Sequence, residues 1–157
     1  STLAAALAAE GLSFLGDDTI VLARDLARVR PIALPICLPS GSWPLLATRY
    51  PSLDTLATHA RNDGKQVRYV LPPTPAPRCR VSWIVFARRT PTAPSGLTVL
   101  PKPAGLVRLM EGLCPLGEGL DAATVERFVR WTDDIAFFEM RYASLDDAVS
   151  ELTGLSA

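Results

Sequence analysis

Between Arg80 and Phe86 the chain reads RVSWIVF, a run so rich in β-branched and aromatic residues that only a strand accommodates it. A run this apolar is expected to lie deep in a sheet. Beyond it the pattern alternates. Leu97 to Leu100 predicts a short strand, Pro101 opens a helix running to about Leu113, and Asp121 caps another whose apolar face spans Thr124 to Trp131. Ile135 to Tyr142 then predicts a strand, and Ser144 begins a Ser-x-x-Asp box ahead of a last helix, Leu145 to Leu152. Strands and helices that alternate without repeats define the α/β class.

The first half is less regular. Ser1 to Glu10 is Ala/Leu-rich, apolar nearly all round and followed by Gly11, which predicts a short buried helix with a glycine at its C-terminus. Leu12 to Leu15 predicts a short strand leading to Asp17 and Asp18. TIVLARD and LARVRPI predict a hairpin about Asp25, with Val29 inward between Arg28 and Arg30. Pro31 to Trp43, with three prolines and a Ser-Gly-Ser end, is expected to be a loop. Two short helices, Trp43 to Tyr50 and Ser52 to Arg61, flank Pro51. Asn62-Asp63-Gly64 makes a turn, Lys65 to Leu71 a strand, and the prolines at 72, 73, 75 and 77 an extended segment.

Composition removes several functions. The 157 residues suit one domain with a real core. Sixteen basic residues balance sixteen acidic ones, so no field exists to hold nucleic acid or an anionic membrane, and any anion site must be local. His59 is the only histidine, which excludes a His-based metal cluster and a Ser-His-Asp or Cys-His hydrolase within one chain. Cys37, Cys79 and Cys114 form no CxxC, which fits a reducing compartment. No apolar run reaches the length of a membrane span, and STLAAALAAEG makes a poor signal peptide, so a cytoplasmic protein is expected. The tryptophans and the aromatics Phe137, Phe138 and Tyr142 are too scattered for a base-stacking platform and are read as packing.

Chemistry concentrates at the start. Ser1-Thr2 heads a helix, and a glycine turn, a short strand and Asp17-Asp18 come after it within eighteen residues. A helix N-terminus aims free N–H groups and its positive dipole end at anions. A hydroxyl there can ligate Mg²⁺, with a carboxylate from the next strand beside it. The same residues also make an ordinary capped helix and a solvated turn. Arg88 and Arg89 leave the carboxyl end of the strongest strand, where a cation can reach a phosphate or can simply be solvated.

STLAAALAAEGLSFLGDD resembles the end of a Walker A motif and the acidic motif of HPr kinase/phosphorylase-like proteins, which share a P-loop fold with PEP carboxykinase. VRPIALPICL, VSWIVFARR, LTVLPKPAGLVRLMEG and YASLDDAV come next in order, and the set resembles the HPr-kinase-related kinase A group of small bacterial proteins. The resemblance implies a mixed sheet flanked by helices, with ATP and Mg²⁺ as cofactors. Ser1 would match the Mg²⁺-binding hydroxyl and Thr2 its neighbour at the nucleotide. Asp17 would match the carboxylate that takes the acceptor's proton, with Asp18 supporting it or facing the metal. Arg88 is expected at the nucleotide phosphates.

The acceptor would be a serine on a small protein or peptide, and a homo-oligomer is possible. The resemblance sets Ser1 inside the Walker A motif, so the glycine loop and lysine are expected upstream and this stretch alone is expected to be inactive; no GxxxxGK occurs within it. A non-catalytic interaction module on the same fold, or a kinase of a small metabolite, remains as an alternative. No counterpart of the phosphorolysis signature of full HPr kinase is found.

Overall fold

The computed structural model describes residues 1–23, 26, 28–32, 34–72, 77–112 and 121–155. Helix α1 (Thr2–Ala9) starts the chain. A hairpin of β1 (Val21–Leu22) and β2 (Val29–Arg30) follows, then strand β3 (Ile36–Pro39), helix α2 (Trp43–Leu46), β4 (His59–Ala60) and β5 (Gln66–Val70). The second half holds β6 (Trp83–Arg89), β7 (Gly96–Val99), α3 (Lys102–Glu111), α4 (Ala122–Trp131), β8 (Ala136–Tyr142) and α5 (Leu145–Gly154). The class is mixed α/β, with its strands in three separate sheets: β1-β2, β3-β5-β4 and β6-β8-β7.

Helix α1 ends as its sequence requires. Gly11 adopts φ +92°, its N–H donates to Ala8 O at 3.1 Å, and Leu12 N–H reaches back to Leu7 O at 3.1 Å. These paired bonds satisfy carbonyls the helix leaves open, and a left-handed residue there favours glycine. Small side chains let the helix sink into the molecule: Ala5 and Ala6 are fully buried among Phe14, Ile36, Leu38, Leu46 and Val70. Leu3 and Leu7 also reach the second cluster, built on Met140, Ala148 and Leu152. Thus α1 is the wedge between the β3-β5-β4 sheet and the β6-β8-β7 sheet.

The third sheet carries helices on both faces. β8 is central, parallel to β6 and antiparallel to β7. Met140 and Tyr142 face α5 and α1, with Trp83 and Val85 of β6 beside them. On the other face Phe137 lies under α3, where Gly105 leaves no room for a side chain. Phe86 stacks on Phe137 on that face, with ring centroids 6.4 Å apart.

Several sequence expectations change. The RVSWIVF strand is not deep: β6 begins at Trp83, pairs only with β8 among the described residues, and is half-buried to exposed, because β8, of equal length, takes the centre between β6 and β7. Residues 36–39, expected within a loop, form β3. Its terminal Pro39 is tolerated because β3 is an edge strand, where a missing N–H breaks no ladder.

Leu12 to Leu15 belongs to no strand. Phe14 plugs the core and Leu15 O accepts from Ile32 N–H at 2.6 Å. The second short helix is a 3₁₀ turn, Pro51–Thr55; Ser52 does not cap it, and Tyr50 precedes it instead. His59 lies not on a helix but on β4, because the turn at Gly64 (φ +78°) folds residues 59–60 back onto β5. Asp25, Cys114, the segment 73–76 and the expected helix end at 113 lie outside the described residues.

Other expectations match. The hairpin, β5, β7, α3, β8 and α4 form as read. Asp121 accepts from Thr124 N–H at 2.6 Å. Ser144 and Asp147 form the reciprocal box at the start of α5. No helix among the described residues is long and apolar enough to cross a membrane.

Candidate functional site

The carboxyl ends of the parallel pair β6 and β8 open into a cleft of about 420 Å³. Its walls come from five elements: Thr2 in the first turn of α1, Gly41 and Ser42 before α2, Arg49, Arg89 at the end of β6, and Tyr142 to Asp146 where β8 passes into α5. Ligands of open α/β sheets gather at this end because strand ends and helix starts converge there.

Each wall has a local cause. Ser42, almost fully buried, shares a 2.5 Å hydroxyl–hydroxyl hydrogen bond with Thr2, tying the first turn of α1 to the 3₁₀ turn Ser40–Ser42. Arg49 spans the cleft floor: its Nε donates to Glu10 at 3.0 Å and its Nη2 to Asp146 at 2.7 Å. The Asp146 hydrogen bond, followed by that of Glu10, holds the guanidinium proton more firmly than usual, so Arg49 and its two carboxylates form a closed set. Arg89 makes no ion pair or side-chain hydrogen bond among the described residues, which leaves it the free cation of the cleft.

The start of α5 is built by Ser95. Its hydroxyl donates to Asp147 Oδ2 at 2.6 Å while its oxygen accepts from Ala143 N–H at 2.9 Å. Asp147 also accepts from Ser144 N–H and donates its own N–H to Ser144 Oγ. The Ser95 hydroxyl, then Ser144, keep the Asp147 carboxyl below its ordinary range. The bend from β8 into α5 is thereby fixed.

Of the residues singled out in the sequence, Asp17 lies against the head of α1, its Oδ1 3.1 Å from the backbone nitrogen of Ser1, with only 16% of its side chain exposed. Asp18, its neighbour, is exposed. The two sit in a bend that turns Asp17 inward and leaves Asp18 in solvent. Ser1 stands at the N-cap position of α1 but its hydroxyl makes no capping bond. Thr2 enters the cleft wall. Arg88 does not: it shares the α3 face of β6 with Phe86, and Arg89 is on the cleft side.

Two wall residues and one support carried no sequence motif. Ser42 is forty positions from its partner Thr2, Arg49 meets Asp146 across ninety-seven, and Ser95, which holds Asp147 from behind the wall, comes just ahead of β7 with nothing to mark it. Among the described residues no group of three or more His, Cys, Asp or Glu gathers as a metal cluster.

Fold and cleft together define a mixed α/β protein with a pocket of mixed polarity at the carboxyl ends of its parallel strands. No family model matches the chain, and no curated protein or solved structure does either.

Proposed function

We propose that this chain is the serine-kinase domain of an ATP-dependent, HPr-kinase-like P-loop protein, acting on a serine of a small protein or peptide. The observation that carries the reading is the carboxylate of Asp17, largely shielded and set against the head of α1; it lies outside the cleft lining, which α1 enters through Thr2. A carboxylate so placed orients a serine hydroxyl and accepts its proton as oxygen bonds to the γ-phosphorus and the bond to the departing diphosphate breaks. The first-turn N–H groups of α1 and the free guanidinium of Arg89 suit the phosphates. In this reading Arg89, rather than Arg88, is the strand-end cation.

Magnesium fits the donors available, since hydroxyl and carboxylate oxygens are what it takes. Ser1 and the exposed Asp18 would hold it, and it would neutralise charge on the phosphates. Asp17 and the cleft arginine act in the remaining steps.

The test is phosphoryl transfer from labelled ATP with Mg²⁺ to serine-bearing partners, using a chain in which a glycine loop ending in Gly-Lys stands ahead of Ser1. Asp17→Asn is expected to bind nucleotide as before and to lose at least about a hundredfold in labelling, the scale of a general base. Labelling that survives this change removes Asp17 from its role. The alternatives are a binding module on the same fold and a kinase of a small metabolite. Nucleotide that fails to bind even with the loop supplied decides for that module, and labelling of a small metabolite in place of a peptide moves the acceptor.

A further inference from the structure

The amino end of the same parallel pair carries a second feature. Trp83 and Arg89 stand about 20 Å apart along β6, and beyond Trp83, away from the cleft, lies a separate hollow of about 330 Å³. Arg80, Arg127 and Arg130 surround it, with Val81, Trp131 and Asp134 between them. The topology explains the gathering. Arg127, Arg130 and Trp131 are spaced i, i+3, i+4 on α4 and so share a face, while Arg80 approaches from the segment that enters β6.

The fold makes little use of the charges there. Arg80 and Asp134 make no ion pair or side-chain hydrogen bond among the described residues. Arg127 donates only to the Thr124 hydroxyl, at 3.1 Å. Arg130 pairs with Glu126 at 3.0 Å, but both side chains are 67% exposed, and such a pair gives way readily. Within the lining itself three guanidinia face one carboxylate, that of Asp134, while Glu126 on Arg130 and Asp121 in electrostatic reach of Arg127 sit outside it. The floor is apolar, formed by Val81, the half-buried Trp131 and the buried Ile135, and the three arginines are exposed around it.

We propose that this hollow docks an acidic segment of a protein partner, with one apolar side chain on the Trp131 floor and carboxylates on Arg80, Arg127 and Arg130. Charge complementarity selects this occupant: guanidinium forks pair carboxylates bidentately, and an open, half-apolar floor suits a peptide's alternating apolar and acidic side chains better than it suits a lone ion. The docking stands on this hollow alone. It needs neither nucleotide nor the cleft, so its failure and that of the kinase reading are separable.

The test titrates the protein, without ATP or Mg²⁺, with the capped peptide Asp-Glu-Leu-Glu-Asp and with its amide counterpart Asn-Gln-Leu-Gln-Asn, following arginine side-chain and tryptophan indole N–H resonances. The acidic peptide is expected to shift the signals of Arg80, Arg127, Arg130 and Trp131, and to bind at least about tenfold more tightly than the amide form. Raising salt from about 50 to about 500 mM should weaken it. The double variant Arg80→Ala/Arg127→Ala should lose about tenfold, and Arg80→Glu more; both positions are exposed, and unchanged melting temperatures will show that the variants fold. Equal binding of the two peptides, binding indifferent to the double variant, or inorganic phosphate binding as tightly as the acidic peptide would each overturn the proposal, the last by making the hollow a small-anion site.

Discussion

The two ends of the β6–β8 pair differ in how their charges are spent. At the carboxyl end, the cleft is a set of closed contacts: Thr2 bonds Ser42, Arg49 holds Glu10 and Asp146, and Ser95 holds Asp147, with Arg89 alone left over. At the amino end, three arginines ring an apolar floor, and among the described residues only Arg130 makes an ion pair. Closed polar networks fix geometry, as chemistry on a bound molecule requires. Unpaired surface charge steers and selects a partner but positions it loosely. The same two strands thus present a pocket tied by hydrogen bonds at one end and a hollow with free arginines at the other.

The largest test acts on what the ends share. β8 feeds both, and it is clamped by α3 at Gly105. A methyl group on Gly105 would come within 2.6 Å of Phe137 Cδ1 and 2.7 Å of its Cβ, so strand or helix must move. Gly105→Ala is expected to destabilise by about 1–3 kcal/mol and to lower the melting temperature by roughly 3–10 °C. If β8 is a common spine, ligand binding at both ends should weaken together in this variant. Loss at one end alone would show the ends to be set by their own side chains.

Next in size is a crosswise exchange of arginines. Arg89→Ala removes the free cation of the cleft and is expected to reduce nucleotide affinity by about ten- to thirtyfold, the worth of a charge-assisted hydrogen bond, while leaving acidic-peptide binding unchanged. Arg80→Ala should do the reverse. Titrations of both ligands against both variants check this, and a variant that weakens both would erase the distinction between the ends.

How much of this could be read from the chain differs between fold and site. The elements with local chemistry were legible: the Asp121 cap, the Ser144–Asp147 box, and Gly11 and Gly64 at positive φ. β3 was hidden because Pro35 before it and Pro39 at its end gave it the composition of a loop, and only its pairing with β5 makes it a strand. The rank of β6 and β8 within the sheet depends on what each meets in space. Strand periodicity says that Arg88 and Arg89 face opposite ways, yet which one sees the cleft is decided by α1 and α5 packing on the Trp83–Val85 face. Asp17 and Ser1, read together in the sequence, do lie together. The basic hollow went unread, since its arginines come from segments nearly fifty residues apart and each alone looks like a solvated surface charge.

A smaller effect probes the cleft's rigidity. Ser144 accepts from Asp147 N–H at 3.1 Å at the start of α5, in the cleft wall. Ser144→Ala should cost about 1 kcal/mol, or roughly 2–4 °C in melting temperature. Nucleotide binding should weaken with it while the basic hollow keeps its affinity for acidic peptide. Equal weakening of both would mean that α5 supports the whole sheet rather than the cleft.

The smallest expected effect is a pH dependence confined to the same corner. The Ser95 hydroxyl, then Ser144, favour the ionised form of Asp147, so its carboxyl loses its proton more readily folded than unfolded. A depressed folded value contributes stability that is fully present above the unfolded carboxyl range, near pH 4, and is lost as pH falls through the folded value. Melting temperatures of the protein and of Asp147→Asn should therefore differ most above about pH 5 and converge as pH drops below about 4. A gap between protein and variant that stays constant from neutral to acid pH would show that Asp147 contributes through shape alone, and the contrast between a charge-locked cleft and an open basic hollow would then lose this support.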